Sequence, residues 1–146
     1  MKLVVGITGS TGVIYGIRLL EVLKKLGIET HLVVSEWAQK CITMETEYDP
    51  DYVKSLGTEV SDDVNMAASI SSGTHRTDGM IVIPCSMKTL SSVANGYDET
   101  LVARAAGVML KESRKLILVV RETPLTAINL ENMLKLARLG VVILPP

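Results

Sequence analysis

The sequence predicts an α/β protein built on a central parallel sheet, and three features carry that expectation. The first is a strand, turn and helix at the N-terminus. The apolar run Lys2-Leu3-Val4-Val5 meets a glycine turn from Gly6 to Gly12, and Val13-Ile14-Tyr15-Gly16-Ile17-Arg18-Leu19-Leu20 follows with apolar residues at helical spacing. The second is a pair of wholly apolar runs, Met80-Ile81-Val82-Ile83 and Leu116-Ile117-Leu118-Val119-Val120, such as the buried centre of a parallel sheet requires. The third is that these runs end in short polar loops that open helices, the alternation of a doubly wound sheet whose ligands bind at the carboxyl ends of the strands.

A chain of 146 residues suits one domain, 1–146, large enough to bury a real core. Its net charge of -1 is spread along the chain, with no basic stripe, so nucleic acid is not an expected partner. No apolar run approaches the roughly 20 residues of a membrane span and no signal peptide is legible, so a cytoplasmic protein without membrane contact is expected. Cys41, Cys85, His31 and His75 are scattered without metal-ligand spacing, so neither a metal nor a structural disulfide is expected.

The first turn places Gly6, Gly9 and Gly12 three apart, which matches neither the dinucleotide fingerprint nor a P-loop. Its hydroxyls, Thr8, Ser10 and Thr11, either donate to a phosphate or ring heteroatom, or serve as ordinary helix caps. Gly27 closes the helix and residues 28–34 form a second strand, making a βαβ unit with a parallel pair. Ser35, at the end of that strand, is either the cap of a helix over 36–42 or a second ligand hydroxyl. The acid-rich stretch 44–64 reads as a solvated excursion, in which Glu45 matters if the preceding helix aims it at the site. Residues 65–73 read as a helical turn passing into a loop, with His75 an exposed loop residue.

The strand 79–84 delivers a second polar loop, Cys85-Ser86-Met87-Lys88-Thr89, to the same edge as the first. Lys88 is its natural phosphate cation or else a solvated lysine. Cys85, with no basic partner in view, is a small buried residue. A helix over 99–113 puts Arg104 and Lys111 seven apart on one face, as an anion clamp or as the wet side. The strand 115–120 then presents Arg121 and Glu122 in opposite directions, which suits cofactor binding by one and proton handling by the other, or a plain charge pair. Pro124 is expected to start a helix over 125–139, and 141–144 is a fifth strand before Pro145 and Pro146.

This ordered set resembles one family. Gly6 to Gly12, Val33-Val34-Ser35, Ser71 to Gly79, Pro84 to Thr89 and Val120 to Leu125 are together similar to the UbiX flavin prenyltransferases, including homologues long named as components of phenolic acid decarboxylases. The resemblance implies a Rossmann-like (flavodoxin-like) three-layer sandwich that binds FMN non-covalently. It implies a homo-oligomer, usually a dodecamer, with flavin near the contacts between copies. The implied reaction joins a dimethylallyl group from dimethylallyl monophosphate to reduced FMN, without a metal, and supplies prenylated FMN to a UbiD-type decarboxylase.

By the same resemblance Gly9, Ser10 and Thr11 lie on the flavin and Ser35 on its phosphate or ribityl chain. Ser86, Met87, Lys88, Thr89 and Arg121 are further FMN contacts. Arg104 and Lys111, with Lys88, meet the prenyl phosphate. Glu45 and Glu122 are active-site carboxylates, Glu122 moving the proton, and Thr11 joins them where many members carry Ser. His75 stands where an aromatic residue is frequent. Family members continue past the double proline into a segment that supplies a Tyr and an Arg, so the chain is expected to lack its C-terminal tail. Three rival readings are an FMN-dependent cysteine decarboxylase, whose active-site histidine matches neither His31 nor His75, a non-catalytic flavin carrier, and a flavodoxin-like electron carrier. The prenyltransferase reading expects the Gly9, Ser35, Ser86 and Arg121 regions to meet around a common cavity.

Overall fold

The computed structural model describes residues 1–146. Six strands, β1 (Lys2–Ile7), β2 (Glu29–Val34), β3 (Glu59–Asp62), β4 (Gly79–Cys85), β5 (Lys115–Val120) and β6 (Val142–Ile143), form one sheet. Every pairing is parallel and the order is β3-β2-β1-β4-β5-β6. The chain starts in the middle, winds outward one way and then the other, so the order reverses between β1 and β4. That reversal leaves a crevice at the carboxyl ends of the two strands, where open parallel sheets hold ligands.

The helices are α1 (Val13–Lys25), α2 (Glu36–Glu45), α3 (Pro50–Ser55), α4 (Met87–Asn95), α5 (Leu101–Lys111) and α6 (Ala127–Arg138). Successive residues of β1 point to opposite faces, so Val4 and Val5 belong to different cores. Val5 and Ile7 pack with α1, α2 and α3, while Val4 packs with α4, α5 and α6. The three-layer arrangement follows directly from these two apolar faces.

Three expectations need correction. The stretch 44–64 is largely exposed as expected, but it is not irregular: it contains α3 and a further strand, β3. Pro124 does not start a helix: α6 begins three residues later, where Thr126 accepts from the Asn129 amide and the Asn129 side chain returns a bond to the Thr126 amide. His75 is half-buried rather than exposed, and its Nε2 is buried without a hydrogen-bond partner.

The strand β3 holds because a buried histidine reads it. His31 pairs with Glu59 in the parallel register; its Nε2 lies 2.8 Å from Ser61 Oγ, and its Nδ1 lies 3.3 Å from Glu59 Oε2. Glu59 in turn pairs with Lys2 Nζ at 2.7 Å, tying β3 to the start of β1. Burial holds the His31 imidazole below its ordinary pKa, outweighing the opposite pull of Glu59, while Lys2 and His75 push in the same direction as burial. The neutral ring is therefore the form the fold accepts. Below about pH 6.5 the unfolded chain takes up the proton more readily than the native one, so stability present above that pH is lost as pH falls. Urea unfolding at pH 7.5 and 5.5 checks this: the midpoint is expected to drop at pH 5.5 and to drop less in His31→Gln, and equal drops would refute the assignment to His31.

Candidate functional site

The loops that leave β1, β2, β4 and β5 are hydrogen-bonded to one another at the carboxyl rim of the sheet. Thr8 Oγ1 donates to the Pro84 carbonyl at 2.7 Å and accepts from the Ser86 amide at 2.9 Å. Ser10 Oγ donates to the Arg121 carbonyl at 3.0 Å, and the Arg121 amide donates to the Cys85 carbonyl at 3.2 Å. The Ser35 amide donates to the Ile7 carbonyl at 3.0 Å. Gly9 lies against the start of α2 so closely that a Cβ there would stand 2.5 Å from Trp37 Cβ.

These bonds decide alternatives that the sequence leaves open. No side chain caps α1: its N-cap is Gly12, at φ 99°, so Thr8, Ser10 and Thr11 are not caps. Thr8 is not a ligand hydroxyl either, since it is buried and both donates and accepts within the chain. Ser10 is half-buried and Thr11 exposed. Ser35 is the cap of α2, accepting from the Ala38 amide at 3.1 Å, which leaves its own proton free to donate. Ser86 caps α4 by accepting from the Thr89 amide at 3.2 Å and also donates to Thr89 Oγ1 at 3.1 Å.

Charge is distributed unevenly over this rim. Glu45, the last residue of α2, is indeed aimed at the glycine turn: its Oε2 accepts from the Gly12 amide at 3.0 Å. A carboxylate thus already rests where the uncapped N-terminus of α1 attracts anions. The half-buried Arg121 and the exposed Lys88 take part in none of the chain's ion pairs. Glu122 is exposed, and its Oε1 accepts from the Thr123 amide at 3.0 Å. Met87 and Thr89 are half-buried on the first turn of α4. Burial pushes the Cys85 thiol up to about 12, so it is no nucleophile at neutral pH, as its apolar surroundings predict.

Arg104 and Lys111 are each engaged with partners of their own chain. Arg104 Nε donates to the Ser71 carbonyl at 3.0 Å and its Nη1 pairs with Asp98 Oδ2 at 2.9 Å. Lys111 pairs with Glu112, which lines a cleft of about 370 Å³ with Arg76, Thr77, Asp78 and Arg114, at the end of the sheet where β4 begins. Seven-residue spacing puts the two on one helix face but nearly two turns apart along it. Five of the six clefts in the chain's surface are lined by none of Gly9 to Gly12, Ser35, Ser86 or Arg121. The rim is an open shelf whose loops meet through hydrogen bonds.

Two residues at this shelf escape a reading by motif. Trp37 is 63% exposed beside Gly9 and Met44 is 71% exposed near the end of α2, and only the placement of α2 brings them to the rim. The shelf fits a flavin mononucleotide in its chemistry. An uncapped helix N-terminus that holds a carboxylate suits a phosphate, free hydroxyl protons suit a polar chain, and Trp37 and Met87 offer apolar surface to a ring.

Fold and rim together define a parallel α/β protein of the mononucleotide-binding class, and comparison with known proteins narrows this. The Flavoprotein family profile matches residues 1–146. A probable UbiX-like flavin prenyltransferase from Streptomyces sp. (strain D7) is 56% identical over 147 aligned positions, spanning 100% of this chain and 74% of that protein. A dodecameric FMN-dependent UbiX-like decarboxylase from Escherichia coli O157:H7 superposes with a TM-score of 0.99 at 54% identity, over 100% of this chain and 80% of the other. AnUbiX (PadA1), solved with FMN and dimethylallyl pyrophosphate, gives 0.98 at 52% identity, over 99% of this chain and 77% of the other. The chain belongs to the flavoprotein family, in its UbiX branch.

The contact between Gly9 and Trp37 yields a direct test, since Trp37 is the only tryptophan. Gly9→Ala is expected to push α2 away from the first turn, shift the tryptophan emission and weaken FMN binding about tenfold or more. Unchanged emission with unchanged FMN affinity would remove Gly9 from the site.

Proposed function

We propose that this protein is a flavin prenyltransferase, which joins the dimethylallyl group of dimethylallyl monophosphate to reduced FMN and yields prenylated FMN. The reading is carried by the rim: four loops tied together around an uncapped helix N-terminus, on a backbone that superposes at 0.98 on a relative solved with FMN and dimethylallyl pyrophosphate. Identity of 56% with a UbiX-like prenyltransferase favours it over the cysteine decarboxylase and electron-carrier readings.

In this reading Gly9, Ser10 and Thr11 line the flavin, Ser35 donates to its phosphate or ribityl chain, and Ser86, Met87, Lys88, Thr89 and Arg121 complete the grip. Reduced flavin supplies the nucleophilic N5 and C6 positions. The protein's own task is to hold the leaving phosphate with cations, keep water from an allylic cation-like transition state, and move a proton at the ring. Glu122 takes the proton role, Glu45 is the second carboxylate, and Thr11 offers a hydroxyl between them and the ring.

Arg104 and Lys111 serve the prenyl phosphate, with Lys88. The assembly is proposed as a homo-oligomer, a dodecamer, whose copies meet near the flavin. No helix is long and apolar enough to cross a membrane. A cytoplasmic enzyme that passes its product to a UbiD-type decarboxylase of aromatic acids completes the proposal.

Incubation with reduced FMN and either dimethylallyl monophosphate or dimethylallyl pyrophosphate tests it by mass spectrometry. A flavin heavier by one prenyl unit is expected; intact FMN binding without product from either donor would favour a non-catalytic carrier instead. Glu122→Gln is expected to keep FMN and lose about a hundredfold or more in turnover, as a displaced general acid or base does. Arg121→Ala is expected to weaken FMN retention about tenfold, read by flavin absorbance after gel filtration.

A further inference from the structure

Asp63 lies directly after β3, outside the glycine turn and the other polar loops of the rim, yet it holds the start of the helix that carries Arg104. Its backbone carbonyl accepts from the Leu101 amide at 2.7 Å and its Oδ1 accepts from the Val102 amide at 2.9 Å. Thr100 Oγ1 accepts from the next amide, Ala103, at 3.2 Å. The opening N–H groups of α5, which a helix leaves without internal partners, are thus satisfied, two of them by one residue from a distant strand. A negative charge at this position also suits the helix dipole.

The clasp acts on packing around the rim. Val102 is buried, and Gly6 of β1 lets it approach so closely that a Cβ on Gly6 would lie 3.2 Å from Val102 Cγ1. Gly6 stands one residue before the carboxyl end of β1, where the glycine turn begins. Two residues beyond the clasp, still within the first turn, the Arg104 amide donates to the Thr100 carbonyl at 2.9 Å, so the orientation of that turn sets where the guanidinium leaves the helix. Burial raises the Asp63 carboxyl above its usual range, while the Val102 amide and the nearby Lys88 ammonium favour its charged form.

We propose that Asp63 is a positioning residue for prenyl transfer: by accepting from the first amides of α5 it fixes that helix against β1 and sets how Arg104 is presented to the prenyl phosphate. The inference rests on the function proposed above for Arg104. It assigns Asp63 no contact with substrate or flavin.

The test uses the full chain with reduced FMN at saturation and dimethylallyl monophosphate varied. Asp63→Ala is expected to raise KM for the prenyl donor about tenfold while FMN affinity stays the same, the pattern of a misplaced binding group rather than of a damaged fold. Asp63→Asn, whose amide oxygen still accepts from the Val102 amide, is expected to return KM close to that of the parent chain. Amide hydrogen exchange at Leu101 and Val102 gives a readout without turnover, and is expected to quicken in Asp63→Ala alone. A parent chain that makes no product refutes the function, with the exchange data still reporting on the clasp. A parent chain that is active beside an Asp63→Ala variant of unchanged KM refutes the positioning role, as does an Asp63→Asn variant as impaired as Asp63→Ala. Should Asp63→Ala fail to fold, Asp63→Glu replaces it: its longer side chain is expected to raise KM where Asp63→Asn does not, and equal KM values overturn the proposal.

Discussion

The rim of this protein depends on one buried hydroxyl. Thr8 follows β1 and uses both sides of its oxygen, donating to the Pro84 carbonyl of β4 and accepting from the Ser86 amide of the next loop. A buried amide or carbonyl left without a partner costs about 1–3 kcal/mol, so this oxygen stabilises two groups that would otherwise oppose the approach of the loops. It does so at the reversal of strand order, where a parallel sheet splays its connections to opposite faces. Ser10 and the Arg121 carbonyl extend the same tie to the loop after β5.

Around that tie the structure satisfies its own polar termini and leaves a selected set unsatisfied. Helices α2, α4, α5 and α6 carry side-chain caps, whereas α1 has none and instead meets the carboxylate of Glu45. That N-terminus, with the Glu45 carboxylate on the Gly12 amide, lies beside the loops that carry Ser86 and Arg121, to which Thr8 and Ser10 tie it. The asymmetry among the helix ends is what separates a binding rim from an ordinary set of βα turns.

The strands β1, β2, β4 and β5 are legible because buried parallel strands are apolar on both faces, a pattern that survives without any knowledge of partners. β3 is not, because its four residues are mostly exposed and its pairing depends on His31, a residue nearly thirty positions earlier whose burial no local pattern reveals. The start of α6 is misplaced for a related reason. Pro124 is a good first helical residue in isolation, but the reciprocal bonds of Thr126 and Asn129 set the boundary. At the site, the hydroxyl-rich loops and Arg121 can be read from type and position. The division of labour among the hydroxyls cannot, since Thr8, Ser10 and Thr11 look alike until their partners are known.

By itself the sequence determined the parallel α/β class, the edge of the sheet on which the polar loops fall and the family resemblance those loops carry, because each follows from short-range pattern: apolar period, glycine position, residue type at a strand end. Tertiary structure alone decided which hydroxyl is structural, that Glu45 reaches Gly12, that Asp63 holds α5, and that Arg104 reaches the Ser71 carbonyl. These are contacts between residues far apart in the chain. A helix period states which residues share a face, but only packing states what that face, and each end of it, meets.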